Sequence, residues 1–115
     1  METSEIKTGI SIIAEERARQ IEKEGYTTEH DTRYTEGDLA NAASCYAMTP
    51  YKRSYIRYIY NYANGSEPDK DKDMPAFWPW DKSYWKPSPN NRIRELAKAG
   101  ALIAAEIDRL LKIEQ

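Results

Sequence analysis

The residues best suited to chemistry lie close together in the second half of the chain. Residues 77–87 contain all three tryptophans and the one phenylalanine of the sequence. A tryptophan ring can stack on a nucleobase with a contribution of about 1–3 kcal/mol, and a nearby cation can meet a phosphate. We therefore expect this aromatic segment to contact a flat, anionic ligand or a partner protein. Its candidate ligand-binding residues are Trp78, Trp80, Trp85, Lys86 and Arg92.

A second set of candidate ligand-binding groups lies in and after the first predicted helix. His30 precedes Asp31, and a histidine oriented by a carboxylate can act as an acid, a base or a hydrogen-bonding group. We expect this pair to bind the polar edge of the ligand; alternatively, the histidine only ties its loop to the helices. Three helix residues complete the candidate set: Arg17, Gln20 and Glu24.

Carboxylates at helical spacing offer an alternative, because Mg²⁺ prefers oxygen ligands. Glu16 and Glu24 on the first helix and Asp38 on the second are the candidate metal ligands of such a site. The other interpretation is an ordinary exposed pattern of i, i+3 and i, i+4 pairs. One histidine and one cysteine are too few for a zinc site. No catalytic residue is predicted, and no cofactor is expected apart from magnesium under this alternative.

Composition restricts the class of protein further. A chain of 115 residues is long enough for one domain with a modest core. A net charge of −2 disfavours a duplex-DNA binder, which needs a basic surplus. No apolar run approaches the ~20 residues of a membrane span, so no membrane partner is expected. Because the lone Cys45 has no partner for an internal disulfide, we expect a cytoplasmic protein.

The elements that must position these residues are helices. Apolar residues recur at steps of three and four, and capping residues precede them, which predicts an all-α fold. We expect a three- or four-helix bundle with one long, proline-rich aromatic loop. An alternation of tyrosines at 58, 60 and 62 also permits a short strand. The predicted helices are 4–24 with Ser4 as its cap and Gly25 as the left-handed residue just past its end, one beginning at Thr35, 51–63 after Thr49 and Pro50, and 90–112. Residues 26–34 are predicted to form an irregular polar connection, and residues 66–74 a surface loop.

The last helix carries an apolar stripe with a glycine in it. We expect Gly100 to allow close contact with the alanine-rich second helix. A narrow bundle of this size leaves part of its apolar stripes uncovered, so a homo-oligomer is also expected. The stripe consists of Ile93, Leu96, Gly100, Ile103, Ile107, Leu110 and Leu111.

Three groups of motifs together resemble a family of small proteins encoded by tailed phages and prophages. They are Glu16-Arg17-Ala18-Arg19-Gln20 with Glu24-Gly25-Tyr26-Thr27 and Glu29-His30-Asp31; Trp78-Pro79-Trp80-Asp81 with Trp85-Lys86-Pro87; and Lys98-Ala99-Gly100-Ala101-Leu102-Ile103 with Ala105-Glu106-Ile107-Asp108-Arg109-Leu110. The resemblance covers nearly all of residues 1–115 as a single helical domain, with residues 49–74 as an insertion. It implies action inside a bacterial host cell, and it supplies no catalytic residue. A more distant likeness is to the MazG-type all-α nucleotide diphosphatases.

These observations predict a small phage-type binding protein. It would capture a nucleotide-like ligand or a host protein, in order to counter host defence or to redirect host metabolism. The first alternative, implied by the MazG likeness, is a magnesium-dependent nucleoside triphosphate diphosphatase. The second is a protein-binding adaptor, because tyrosines and arginines are typical of protein interfaces. The tyrosines in question are Tyr51, Tyr55, Tyr58 and Tyr62.

Overall fold

The computed structural model describes residues 6–65 and 74–114, and these residues form an all-α fold, as predicted. The predicted strand alternative for residues 58–62 is wrong, because those residues are helical. The serine proposed as the first cap and most of the loop predicted at 66–74 lie outside the described residues. The helices are α1 (Gly9–Glu24), α2 (Thr28–Asp31), α3 (Asp38–Ala47), α4 (Pro50–Ala63) and α5 (Arg92–Ile113).

Local capping residues fix where α1 and α4 begin and where α1 ends. Thr8 caps α1 in a capping box with Ser11, so α1 begins five residues later than predicted. Gly25 ends α1 in the left-handed conformation at φ 72°, as predicted. Thr49 caps α4, and Pro50 occupies its first position, so that prediction is also confirmed.

The predictions for the starts of α3 and α5 and for the loop between α1 and α3 need correction. The N-cap of α3 is Gly37 without a side-chain hydrogen bond, so Thr35 does not begin that helix. Asn91 caps α5 by accepting a hydrogen bond from the backbone N–H of Arg94. The connection predicted to be irregular contains the short helix α2, which Thr27 caps.

Helix α5 is the centre of the molecule, because α1, α2 and α3 all pack against it. The core is built from small and aromatic residues of α3, α5 and the aromatic segment. Small side chains let α3 and α5 approach closely, and aromatic rings fill the space beside them. The buried core cluster is Leu39, Ala42, Ala43, Cys45, Tyr46, Trp78, Ala99, Leu102 and Ala105.

A buried ion pair joins helix α4 to α5. Arg53 donates to both carboxylate oxygens of Glu95 at 3.3 and 3.0 Å and to the backbone carbonyl of Met48 at 2.8 Å. Both charged side chains are 1% exposed. Because a lone buried charge is costly, this pair holds the start of α4 against α5.

The contact made by Gly100 differs from the prediction. A Cβ at this position would lie 2.6 Å from Cγ1 of Ile13 in α1, so the glycine accommodates the first helix and not the alanine-rich helix. The predicted apolar stripe of α5 is also largely exposed, and the buried face of α5 contains alanines and charged residues instead. No helix among the described residues combines the length and hydrophobicity needed to cross a bilayer.

Candidate ligand-binding clefts

The aromatic segment packs on α3 through a cluster of rings. Trp85 stacks on Tyr46 with ring centroids 4.7 Å apart, and Trp78 meets both rings edge-on at 5.0 and 5.6 Å. Trp78 is 8% exposed, and its Nε1 donates to the carbonyl of Asp81 at 3.2 Å. Aromatic pairs in this geometry contribute about 0.5–1.5 kcal/mol beyond their area burial. The cluster therefore fixes the position of the whole segment.

Polar groups beneath the aromatic segment attach it to α3 and α5. The hydroxyl of Tyr46 accepts a hydrogen bond from the backbone N–H of Lys86 at 3.0 Å. Burial raises the pKa of Tyr46 to about 12, so the phenol stays protonated. Lys98 of α5 donates to the carbonyl of Lys86 and to Ser88 Oγ. Burial, together with the charge of Arg94, lowers the pKa of Lys98.

One cleft opens between the aromatic segment and the loop that follows α1. We call it the aromatic cleft; its volume is about 420 Å³. The ring of Tyr34 lies 5.4 Å from that of Trp80, and Tyr26 stacks on His30 at 5.6 Å. Its walls therefore offer aromatic faces with polar groups between them. The lining residues are Glu24, Tyr26, His30, Asp31, Arg33, Tyr34, Leu39, Trp80, Asp81 and Tyr84.

The histidine in this cleft has a defined orientation. Its Nδ1 lies 2.9 Å from Oδ1 of Asp31, and its Nε2 contacts the guanidinium of Arg33. A guanidinium can only donate, so Nε2 accepts and Nδ1 carries the proton that is donated to Asp31. The predicted orientation of His30 by a carboxylate is therefore confirmed. Both ring nitrogens are occupied, so the ring offers mainly its face to the cleft.

A second cleft of about 500 Å³ lies between the aromatic segment and the buried faces of α1 and α5. We call it the cationic cleft, because Lys86, Arg94 and Lys98 form no ion pair within residues 6–65 and 74–114. The fourth cation, Arg19, is paired with Glu16 at 2.7 Å and Glu24 at 3.5 Å. The lining residues are Glu16, Arg19, Gln20, Glu24, Tyr26, Tyr46, Trp78, Trp80, Tyr84, Lys86, Arg94, Lys98 and Leu102.

Three buried polar atoms of cleft-lining residues lack a hydrogen-bond partner in the described part of the chain. They are Oε1 of Gln20, whose residue is 4% exposed, Nε1 of Trp80, and Oδ2 of Asp31, which lies 3.9 Å from the guanidinium of Arg17. An unsatisfied buried polar atom costs about 1–3 kcal/mol, so such atoms are uncommon in folded proteins. Oε1 of Gln20 is an acceptor and Nε1 of Trp80 is a donor, and a ligand with complementary polar groups would satisfy both.

The structure brings seven of the ten predicted ligand-binding residues to these clefts. Asp31 is among them, although its side chain is 1% exposed and also lies 3.9 Å from Arg17. Gln20 comes from the buried face of α1, although the sequence pattern had suggested a solvent-facing surface, and Glu24 is exposed at the end of that helix. The seven residues are Gln20, Glu24, His30, Asp31, Trp78, Trp80 and Lys86.

The other three predicted residues do not line either cleft, and each makes structural contacts instead. Arg17 donates to the carbonyl of Tyr26 at 2.8 Å and to Asp108 at 3.3 Å, so it joins α1 to α5. Arg92 donates to the last carbonyls of α3, at Tyr46, Ala47 and Met48. Trp85 is held between Tyr46 and the guanidinium of Arg53, whose carbon lies 5.3 Å from the ring centroid.

Sequence reasoning missed several cleft residues because it treated polar residues on helices as solvent-exposed. Arg94 is one of the cations that the sequence places beside the aromatic segment, and Lys98, which was missed, stands four residues after it, on the side of α5 opposite the apolar stripe. Tyr34 and Tyr84 flank the motifs and Tyr26 lies within one, but none of the three gave a signal of its own. Their role depends on how the aromatic segment lies against the loop after α1.

The magnesium alternative requires carboxylates that converge. No group of three or more histidine, cysteine, aspartate or glutamate side chains suited to a metal occurs among residues 6–65 and 74–114. Burial alone would raise the pKa of Glu16, but the hydrogen bond and charge of Arg19 outweigh it and lower the pKa. Glu16 and Glu24 are both paired with Arg19, while Asp38 begins α3 elsewhere. The diphosphatase alternative stays a prediction.

The fold and its clefts define a class: an all-α protein with an aromatic cleft beside a cationic one. No protein-family model, curated protein or solved structure matches the chain. The phage-family resemblance and the likeness to MazG-type enzymes therefore stay predictions. The functional argument depends on the geometry of the clefts alone.

Proposed function

We propose that the protein binds a nucleotide-like ligand, with its flat ring in the aromatic cleft and its phosphate in the cationic cleft. The observation that carries this proposal is that both clefts share one wall, formed by Glu24, Tyr26, Trp80 and Tyr84. A nucleotide has the same arrangement, since a sugar separates its planar base from its anionic phosphate. Clefts of about 300–1,000 Å³ are the usual size for small-molecule sites.

The aromatic part of the proposal depends on accessible ring faces. Tyr84 is 59% exposed and stands at the junction of the two clefts. Tyr34 and Trp80 contact each other, with ring centroids 5.4 Å apart, and both line the aromatic cleft. A base lying against the exposed part of this wall would gain about 1–3 kcal/mol for each ring on which it stacks. The unpartnered Nε1 of Trp80 supplies a donor for a base acceptor.

The phosphate part of the proposal depends on three cations around one space. Lys98 is nearly buried, and the neighbouring charge of Arg94 makes its protonated form more costly. An anion in the cleft would offset that repulsion and favour protonated Lys98. Arg94 and Lys86 lie at the exposed edge of the cleft, where they can donate to phosphate oxygens. The free Oε1 of Gln20 accepts a hydrogen bond from a sugar hydroxyl or an amino group.

The first experiment is a thermal-shift screen of nucleosides, nucleoside mono- and triphosphates, cyclic dinucleotides and inorganic phosphate. We expect a nucleotide to raise the melting temperature more than the matching nucleoside or phosphate alone. The best compound is then titrated by calorimetry into the wild-type protein and into Tyr84→Ala. Loss of one stacking ring raises Kd roughly tenfold, because stacking contributes about 1–3 kcal/mol.

The matched control for the titration is Tyr58→Ala, which removes an exposed tyrosine of α4 that lines neither cleft. This control should bind as the wild-type protein does. Absence of any thermal shift at millimolar ligand, or an equal loss of affinity in Tyr58→Ala, would overturn the proposal.

A second candidate function, a protein-binding adaptor, is favoured by the surface of α4. Tyr51, Tyr55, Tyr58 and Tyr62 are between 52% and 81% exposed, and they step along one helix of the described structure. Tyrosines are enriched at protein interfaces, where a rigid ring adds contact area. A pulldown with Tyr55→Ser combined with Tyr58→Ser tests this candidate: a partner lost by this variant but retained by Tyr84→Ala would support it.

A further inference from the structure

The side of α5 that faces solvent is more hydrophobic than the side that packs inward. The inward side includes Glu95, Lys98 and Arg109 among its alanines. An amphipathic helix of a globular protein normally turns its apolar stripe toward the core, so this orientation is reversed. The exposed apolar residues form what we call the outer face of α5: Ile93, Leu96, Ile103, Ile107, Leu110 and Leu111, each between 46% and 65% exposed.

The spacing of the outer face is that of helices that pair along their length. Its residues alternate in steps of three and four from Ile93 to Leu110, with Gly100 continuing the pattern. This seven-residue repeat keeps one stripe facing a partner helix over several turns. The first position of the repeat holds Ile93, Gly100 and Ile107, and the fourth holds Leu96, Ile103 and Leu110. In parallel pairs, isoleucine at the first and leucine at the fourth position favour two strands over three or four, and the outer two repeats have this pattern. In the middle repeat, Gly100 contacts Ile13 of α1 instead.

The area of the outer face also fits a dimer. Six side chains, each about half exposed, present roughly 600 Å² of mostly apolar surface, the upper end of what a typical monomer exposes in one patch. Ile10 is 83% exposed, three residues before the Ile13 that contacts Gly100, so it adds apolar surface from α1. The total approaches the roughly 800 Å² that each partner buries in a standard interface.

We propose that the outer face of α5 binds the same face of a second copy of this chain. Such an interface is self-complementary, because a twofold axis brings one patch against itself, and twofold dimers are the commonest protein oligomers. The clefts remain open in this dimer. Lys98 and Leu102, which α5 contributes to the cationic cleft, lie about half a turn away from the outer face.

Analytical ultracentrifugation from about 1 to 200 µM tests the dimer, with Ile103→Glu combined with Ile107→Glu as the disrupting variant. Because both side chains are about half exposed, the variant should fold, and circular dichroism checks its helix content. We expect a dimer for the wild-type chain and a Kd at least a hundredfold weaker for the variant, because charges buried in the interface are costly. The control Ile59→Glu, on exposed α4, should remain dimeric.

Cross-linking gives a second measurement that does not depend on the disrupting variant. Ile103 lies near the middle of the stripe, so in Ile103→Cys the new thiol should join its counterpart in the second copy under mild oxidation. Cys45 is buried, and its pKa is raised to about 12, so it does not compete. A monomer at 200 µM, self-association unchanged in the glutamate variant, or no cross-link in a sample that sediments as a dimer would each overturn the proposal.

Discussion

The aromatic segment and α4 are both rich in aromatic residues, but the fold treats them in opposite ways. In the aromatic segment, Trp78 and Trp85 pack on Tyr46, and Trp80 borders both clefts. On α4, most of the tyrosines stay exposed. The difference arises from what lies beneath each region, because Lys98 and Tyr46 bind the backbone of the segment at Lys86. A segment rich in aromatic residues forms the wall of a cleft only where buried polar groups hold its backbone in place.

The largest expected effect on stability comes from removing a tryptophan of the aromatic segment. Trp78→Ala removes a buried ring that contacts three other aromatic rings, those of Tyr46, Trp80 and Trp85. We expect the free energy of unfolding to fall by about 4 kcal/mol, as for other buried tryptophans. Tyr58→Ala on α4 should change it by less than about 0.5 kcal/mol, as exposed residues usually do. Urea denaturation measures both, and equal effects would contradict the contrast between the two regions.

The next effect concerns Glu95, which joins the two regions. Its carboxylate accepts from Arg53 of α4 and from the backbone N–H of Ser88, just after the aromatic segment. Glu95→Ala leaves Arg53 buried without its carboxylate partner, so we expect a loss of about 3 kcal/mol in the free energy of unfolding. The double variant Glu95→Leu, Arg53→Met should recover most of that loss. A double variant no more stable than Glu95→Ala would show that the ion pair is not the cause.

A smaller effect tests the contact between α1 and α5. Gly100→Ala gains about 1 kcal/mol of helix propensity. Its Cβ, however, would meet Ile13, with Cγ1 at 2.6 Å and Cγ2 at 3.1 Å. Overpacking of this kind costs about 1–3 kcal/mol, so we expect a net loss of about 1 kcal/mol. When Ile13→Ala is already present, Gly100→Ala should stabilise the protein instead of destabilising it. Thermal denaturation of the wild-type protein, the two single variants and the double variant measures the coupling.

The smallest effect concerns pH. Arg19 lowers the pKa of Glu16 below its ordinary 4.5, so the folded state favours the ionised carboxylate. The stabilisation is therefore complete above pH 4.5 and is lost as the pH falls through the lower pKa of the folded state. Glu16→Gln should flatten the acid limb of the stability profile and leave its alkaline side unchanged. An acid limb identical to that of the wild-type protein would contradict this assignment.

The sequence predicted the elements better than their orientation. Gly25, Thr49 and Pro50 act through their immediate neighbours, so the end of α1 and the start of α4 could be predicted. Which side of α5 turns inward could not, because α3 offers an alanine face and the aromatic segment supplies the rings. The spacing of the apolar residues identified the stripe on α5 correctly. We expected this stripe to pack against another helix, but it is largely exposed.

Packing between distant parts of the chain also explains why only some of the predicted residues line the clefts. Single motifs indicated His30, Trp80 and Lys86, which do line the clefts. Arg92 belongs to an equally good motif, yet the end of α3 lies within its reach and takes its hydrogen bonds. Contacts between residues more than forty positions apart decide which cation remains available, and no local pattern encodes them.

The central claim is that one ligand spans the wall shared by the two clefts. The most direct test is calorimetric titration of a nucleoside and of its monophosphate, chosen by the thermal-shift screen, into the wild-type protein and Arg94→Gln. Lys52→Gln, which removes an exposed cation from α4, is the control.

We predict that the monophosphate binds the wild-type protein and the Lys52→Gln control more tightly than the nucleoside does. In Arg94→Gln most of that advantage should disappear, while nucleoside affinity should be unchanged. Equal affinities of the two compounds for the wild-type protein, or an unchanged phosphate advantage in Arg94→Gln, would contradict the claim.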